Sequence, residues 1–342
     1  MSNSNLASTP TGEPEPAAWR VIEFMFSNRD TDSELVVMCK GKRFIISLFA
    51  ENFSASSQLK EKYLFFLQVA EEFELDGFTV EDFYVWAVEP FFPIFQKFPA
   101  LPREHQPTLH DFFYPETFSY TLRAVADELV PELYEDEGAS HGLGFGITVA
   151  NELCAPWTSF SPSQVRVCQV RTVGPPSQTP SKVLLPDGST AFLKLARRGD
   201  AQSLKIELKT YRKIEEAQLD DTIRVSRLRG LVRDESGQVL GLLLIYIDCR
   251  RLTLSCAVKP NTPTVLREKW MAQLQGSVDK LHKAGIFWGD VKPDNVLIDS
   301  NQDAWVVDFG GGYTEGWVPR ELTGTMQGDQ LGLKKVAEFI GN

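Results

Sequence analysis

Residues 288–295 read Trp-Gly-Asp-Val-Lys-Pro-Asp-Asn, and Asp308-Phe309-Gly310 follows 13 residues after Asn295. No other feature constrains the chain as strongly. Between the two motifs lie the apolar segments 296–298 and 304–307, on either side of a polar turn, Asp299–Asp303. That pattern predicts a small hairpin. The hairpin delivers Asp308 beside a loop that carries Asp290, Lys292 and Asn295 at positions i, i+2 and i+5. Two carboxylates, an ammonium and an amide are thereby expected in one place.

Such a set suits phosphoryl transfer, which needs positioned charge more than covalent chemistry. It calls for a carboxylate near the attacking oxygen, a cation near the transferred group, and ligands for Mg²⁺ on the phosphates. Segment 288–295 resembles the catalytic loop of protein kinases, H-R-D-x-K-P-x-N, and 308–310 resembles their D-F-G metal site. By that resemblance Asp290 orients or deprotonates the acceptor hydroxyl and Lys292 stabilises the γ-phosphate of ATP. Asn295 and Asp308 would hold Mg²⁺.

The resemblance implies two further parts. Lys194, in Ala-Phe-Leu-Lys after the Pro186-Asp187-Gly188 turn, is similar to the family's Val-Ala-Ile-Lys. Glu207 lies on the helix expected from about Asp200 to Glu216. It shares a face with Leu204, Tyr211 and Ile214, so it points inward and wants a cation. Lys194 is the natural partner, and the pair would contact the nucleotide. Asp248, where two lobes would join, is a further nucleotide-contact candidate. The resemblance covers roughly 160–340. It looks closest to kinase-like proteins of filamentous fungi, on His110–Phe118 and Leu240–Asp248.

The pattern departs from the family at four places. Trp288-Gly289 replaces His-Arg, so the arginine that reads a phosphorylated activation segment is missing. No G-x-G-x-x-G occurs; the corresponding loop, 172–180, has Gly174 and prolines that donate no N–H. Gly311 and Gly312 make a flexible start to the following segment. Only 32 residues follow Gly310, although Gly328-Asp329 resembles the aspartate that anchors the catalytic loop from below. An active phosphotransferase acting on a protein Ser/Thr or small-molecule hydroxyl acceptor is the first expectation. A pseudokinase acting as an interaction or scaffold module is the alternative.

The expected fold class is α+β: a two-lobed protein-kinase-like domain at 160–342 with a short C-lobe. Its lobes would be 160–247 and 248–342, and an N-terminal α/β region at 18–150 would pack against it. Residues 1–17 are expected to be a disordered tail, with a soft boundary at 135–162. Segments 35–39 and 43–49 read as a hairpin, and Thr79–Asp82 as a capping-box start to an aromatic helix. Residues 111–133 read as a helix after Pro115. Thr262 and Pro263 fit the N-cap and first position of a long helix that ends near Gly285.

Residues 1–150 hold 10 Lys/Arg against 24 Asp/Glu, and the remainder 25 against 22, so the net charge of −11 arises in the first part. That argues against nucleic-acid or anionic-membrane binding. The longest apolar run, Gly241–Ile247, is too short to span a bilayer. Five cysteines without a CxxC pair and the absence of a signal-peptide pattern suggest a reduced, cytoplasmic or nuclear setting.

Overall fold

The computed structural model describes residues 18–27, 29–102, 104–134, 144–168 and 179–341. The expected tail at 1–17, the polar break at 135–142 and most of the 172–180 loop lie outside the described residues. Two compact units are present. One is formed by 18–106 and 110–134, the other by 107–109, 144–168 and 180–341. Both mix sheets with helices, an architecture compatible with the α+β class.

The first unit runs β1 (Trp19–Phe26), β2 (Ser33–Cys39), β3 (Lys42–Leu48), α1 (Ser57–Glu72), β4 (Glu74–Leu75), β5 (Phe78–Thr79), α2 (Val80–Val88), α3 (Phe92–Gln96), α4 (Leu109–Phe113), β6 (Thr117–Val125) and β7 (Glu128–Leu133). Five strands form one sheet in the order β1-β2-β3-β6-β7, antiparallel except where β6 lies parallel to β3. The parallel step requires the long helical crossover. α2 carries the expected capping box, with Thr79 and Asp82 bonded reciprocally. Its buried Phe83, Trp86 and Ala87 pack with Tyr63 and Phe66 of α1 over Phe44, Ile46 and Leu122 of the sheet.

The expected helix at 111–133 is replaced by the β6–β7 hairpin. Two facts explain this. Thr117, Phe118, Tyr120, Thr121 and Val125 are β-branched or aromatic, and Leu122 and Ala124 alternate inward while Arg123 and Val125 are exposed. The turn is Ala126-Asp127, with φ of 50° and 62°. This left-handed pair has the twist of a two-residue hairpin without the usual Asn-Gly signal.

The second unit continues with α5 (Asn151–Cys154), β8 (Ser159–Phe160), β9 (Arg166–Val167), β10 (Lys182–Leu184), β11 (Thr190–Leu195), α6 (Ala201–Glu216), β12 (Leu228–Arg233) and β13 (Val239–Ile245). Then come α7 (Leu254–Ala257), α8 (Thr264–Lys283), β14 (Val296–Ile298), β15 (Ala304–Val306) and α9 (Met326–Gly341). Six strands form a sheet in the order β8-β12-β13-β11-β10-β9. β10, β11 and β13 are thus antiparallel neighbours. One continuous core joins the sheet and α6 to α8, α9 and the β14–β15 hairpin. Trp270, Leu274, Val278 and Leu281 supply the buried stripe of α8, and Gly285 follows it with φ 70°.

Pro263 is the N-cap of α8, so the helix starts one position later than expected. Thr262 does not cap; its hydroxyl accepts from the Lys259 N–H and donates to the Ala257 carbonyl, closing the preceding turn. No helix among the described residues is long and apolar enough to cross a membrane. All five cysteines are unpaired.

The β14–β15 turn is pinned to its surroundings through Asp303, which is 16 % exposed. Arg224 (2.9 Å), Lys269 (2.8 Å) and Gln273 (2.7 Å) all donate to it. Burial opposes ionisation, but these donors outweigh it and hold the carboxyl at about 2, against 3.8 ordinarily. A depressed carboxyl pKa stabilises the fold above the unfolded value, and that stability is lost as pH falls towards 2. Asp303→Asn is therefore expected to cost about 2 kcal/mol at pH 7 and much less near pH 2. Urea unfolding at the two pH values measures the difference.

Candidate functional site

β11 places Lys194 by strand alternation. Ala191 and Leu193 are buried on one face, so Lys194 emerges on the other. On α6 the buried stripe is Leu204, Glu207, Leu208, Tyr211 and Ile214. A carboxylate in such a stripe must be paired. The Lys194 ammonium lies 2.9 Å from Glu207 Oε2 and 2.8 Å from Asp308 Oδ1. Burial works against its charge, but the two carboxylates outweigh this and raise its pKa above the ordinary lysine value. Two links, 13 and 114 residues apart in sequence, thus converge on one nitrogen.

The loop at 288–295 is held from below by Asp329 of α9, whose carboxylate is 1 % exposed. The N–H groups of Trp288 and Gly289 donate to it at 2.8 Å each, and His282 Nε2 donates at 2.8 Å. Gly289 has φ 90°, which a side-chain-bearing residue adopts only under strain. The Trp288 indole N–H donates to the Val307 carbonyl, 2.9 Å away, and the Asn295 carbonyl accepts from Val307 N–H at 3.1 Å. These bonds fix the loop to the β14–β15 hairpin.

On that support Asp290, Lys292 and Asn295 come together. Asn295 Nδ2 donates to the Asp290 carbonyl (2.9 Å) and to its Oδ2 (3.0 Å). Lys292 Nζ lies 2.8 Å from Asp290 Oδ2. The Thr314 hydroxyl donates to Asp290 Oδ1 at 3.1 Å and accepts from Lys292 Nζ at 2.8 Å. A hydroxyl therefore already sits between the carboxylate and the ammonium.

Asp308 follows β15 with φ 63°, an uncommon conformation for a residue other than glycine, and its side chain is 41 % exposed. It offers hard oxygen, and Asn295, whose amide nitrogen is committed to Asp290, has its amide oxygen to offer. Two such ligands fit Mg²⁺, which keeps several waters and takes substrate phosphate oxygens. Among the described residues no cluster of three or more His, Cys, Asp or Glu is built to enclose a metal. Asp248 is exposed and stands apart from both ion-pair groups; its backbone carbonyl accepts from Ser300 N–H at 2.9 Å.

Four participants escaped sequence reasoning: Ser203, His282, Thr314 and the indole of Trp288. Ser203 alone had a signal, lying four residues before Glu207 on the same helix face. The others meet partners that only the tertiary fold brings near.

Over part of its length, the chain is related to serine/threonine protein kinases. Serine/threonine-protein kinase SKS1 of Saccharomyces cerevisiae is 44% identical over 46 residues, 14% of this chain and 9% of that protein. CBL-interacting protein kinase 15 of Oryza sativa subsp. japonica is 34% identical over 65 residues, 19% of this chain and 15% of the relative. CBL-interacting protein kinase 21 of the same plant is 28% identical over 123 residues, 36% of this chain and 23% of the relative. The chain thus spans less than a quarter of the length of each of these relatives. No family model matches it.

Proposed function

We propose that the second unit is a protein-kinase-like phosphotransferase that moves the γ-phosphoryl group of ATP to a hydroxyl acceptor. The sheet within 160–247 and the helices beyond 248 act as its two lobes. The observation that carries this reading is the convergence of Glu207 and Asp308 on Lys194. A lysine held between a buried helix carboxylate and a half-exposed hairpin carboxylate is placed to bind phosphate oxygens.

In this reading Lys194 binds and orients the nucleotide phosphates, and Glu207 keeps Lys194 extended and charged. Asp308 and Asn295 hold Mg²⁺, which supplies neutralising charge on the phosphates when bound. Asp290 orients the acceptor hydroxyl and takes its proton, as its contact with the Thr314 hydroxyl illustrates. Lys292 offsets negative charge on the transferred group. The acceptor is a protein Ser/Thr side chain or a small hydroxylated molecule, and the setting is cytoplasmic or nuclear. Lys194→Met is expected to weaken ATP binding at least tenfold, the loss of one charge-assisted contact. Isothermal titration checks this, and unchanged affinity would refute the assignment.

The proline-rich 172–180 segment favours a second reading, a pseudokinase that keeps the ion pairs without turnover. Its prolines cannot donate N–H to phosphates. Nucleotide binding without γ-phosphate transfer to any acceptor or to water would select that reading.

A further inference from the structure

α6 presents three side chains at four-residue spacing to three consecutive residues of the segment after β15. Tyr211 packs edge-on against Phe309, with ring centroids 5.7 Å apart. Glu207 reaches Asp308 through the shared Lys194. One turn earlier, the Ser203 hydroxyl donates to the Gly310 carbonyl at 3.0 Å. The approach is close enough that a Cβ on Gly310 would fall 2.4 Å from Ser203 Oγ. Beyond this bond the chain enters Gly311 and Gly312, with φ of 69° and 156° and no side chain to hold them. Gly310 is therefore an anchored point between Asp308, two residues behind it, and the pair of glycines ahead.

We infer that Ser203 is a positioning residue. It latches the Asp308–Gly310 segment to α6, and so fixes Asp308 for the cation and Glu207 for Lys194 as one unit. The latch is a neutral hydroxyl-to-carbonyl bond, so it is in place without any covalent modification of the chain. This deepens the phosphotransferase reading and rests on it only for its effect on nucleotide.

The test compares the full chain with Ser203→Ala and Ser203→Thr. The threonine keeps the hydroxyl, and residue 203 borders a cavity of about 40 Å³ together with Asp200, Leu204 and Glu207. Hydrogen exchange should quicken at the amides of 310–313 in Ser203→Ala, leave the α6 amides unchanged, and return to normal in Ser203→Thr. In titrations, the tightening of ATP binding by Mg²⁺ should weaken about three- to tenfold in Ser203→Ala, while metal-free ATP binding holds. Unchanged exchange at 310–313, or acceleration spread along α6, would overturn the latch. Equal loss with and without Mg²⁺ would overturn it too. If the wild-type chain shows no Mg²⁺-dependent tightening, the phosphotransferase reading falls, and the exchange comparison still decides the latch.

Discussion

An Asp329→Ala variant is expected to lose about 3–5 kcal/mol of stability, the range for removing one member of a buried charged network. The carboxylate accepts from two backbone N–H groups and from His282, and all of these donors would be stranded. Each buried unsatisfied donor costs about 1–3 kcal/mol. Against a typical stability of about 5–15 kcal/mol, the variant would be marginally folded. Asp329→Asn should recover only part of the loss, because its amide end would face a donor. Urea unfolding followed by circular dichroism measures the loss. A loss under about 1 kcal/mol would show that Asp329 does not support the loop.

The second large effect concerns Asp308. If Asp308 holds the metal as proposed, Asp308→Asn and Asp308→Ala should each lower Mg²⁺-dependent turnover on the order of 10²–10³-fold or more. Their stabilities should differ. At φ 63° asparagine is tolerated better than alanine, so Asp308→Asn should melt close to the wild type and Asp308→Ala lower. Lys194 keeps Glu207 as its partner in both, which limits the damage. Turnover that survives the Asn substitution would move the metal site elsewhere.

The grouping of side chains at 288–310 was legible because it depends on local spacing. Asp290, Lys292 and Asn295 sit in one loop, and a short hairpin of apolar strands carries Asp308 to it. Glu207 was legible for a different reason, since a charge in an otherwise apolar helix stripe must find a partner. The contacts of Thr314 and Ser203 were not legible, because their partners lie 24 and 107 residues away and the intervening chain sets the approach. The β6–β7 hairpin was misread because Ala124–Leu129 reads as helix-forming, and a turn of Ala and Asp at positive φ has no glycine to announce it. β6 is fixed by pairing with β3, a long-range contact that overrides local preference, and β7 by pairing with β6.

The two faces of α9 differ in polarity. Gly328, Asp329, Gly332, Leu333, Val336 and Ile340 form its buried face, while Gln327, Gln330, Lys334 and Glu338 are exposed. An outward face of this kind is suited to water.

The decisive measurement is transfer of label from γ-labelled ATP by the chain, with Mg²⁺, a peptide library and a metabolite pool offered as acceptors. Label is expected to appear on a hydroxyl acceptor in a Mg²⁺-dependent manner with the wild type, and only at background with Asp308→Asn. Absence of transfer to every acceptor and to water, or equal transfer by the two proteins, would contradict the phosphotransferase reading.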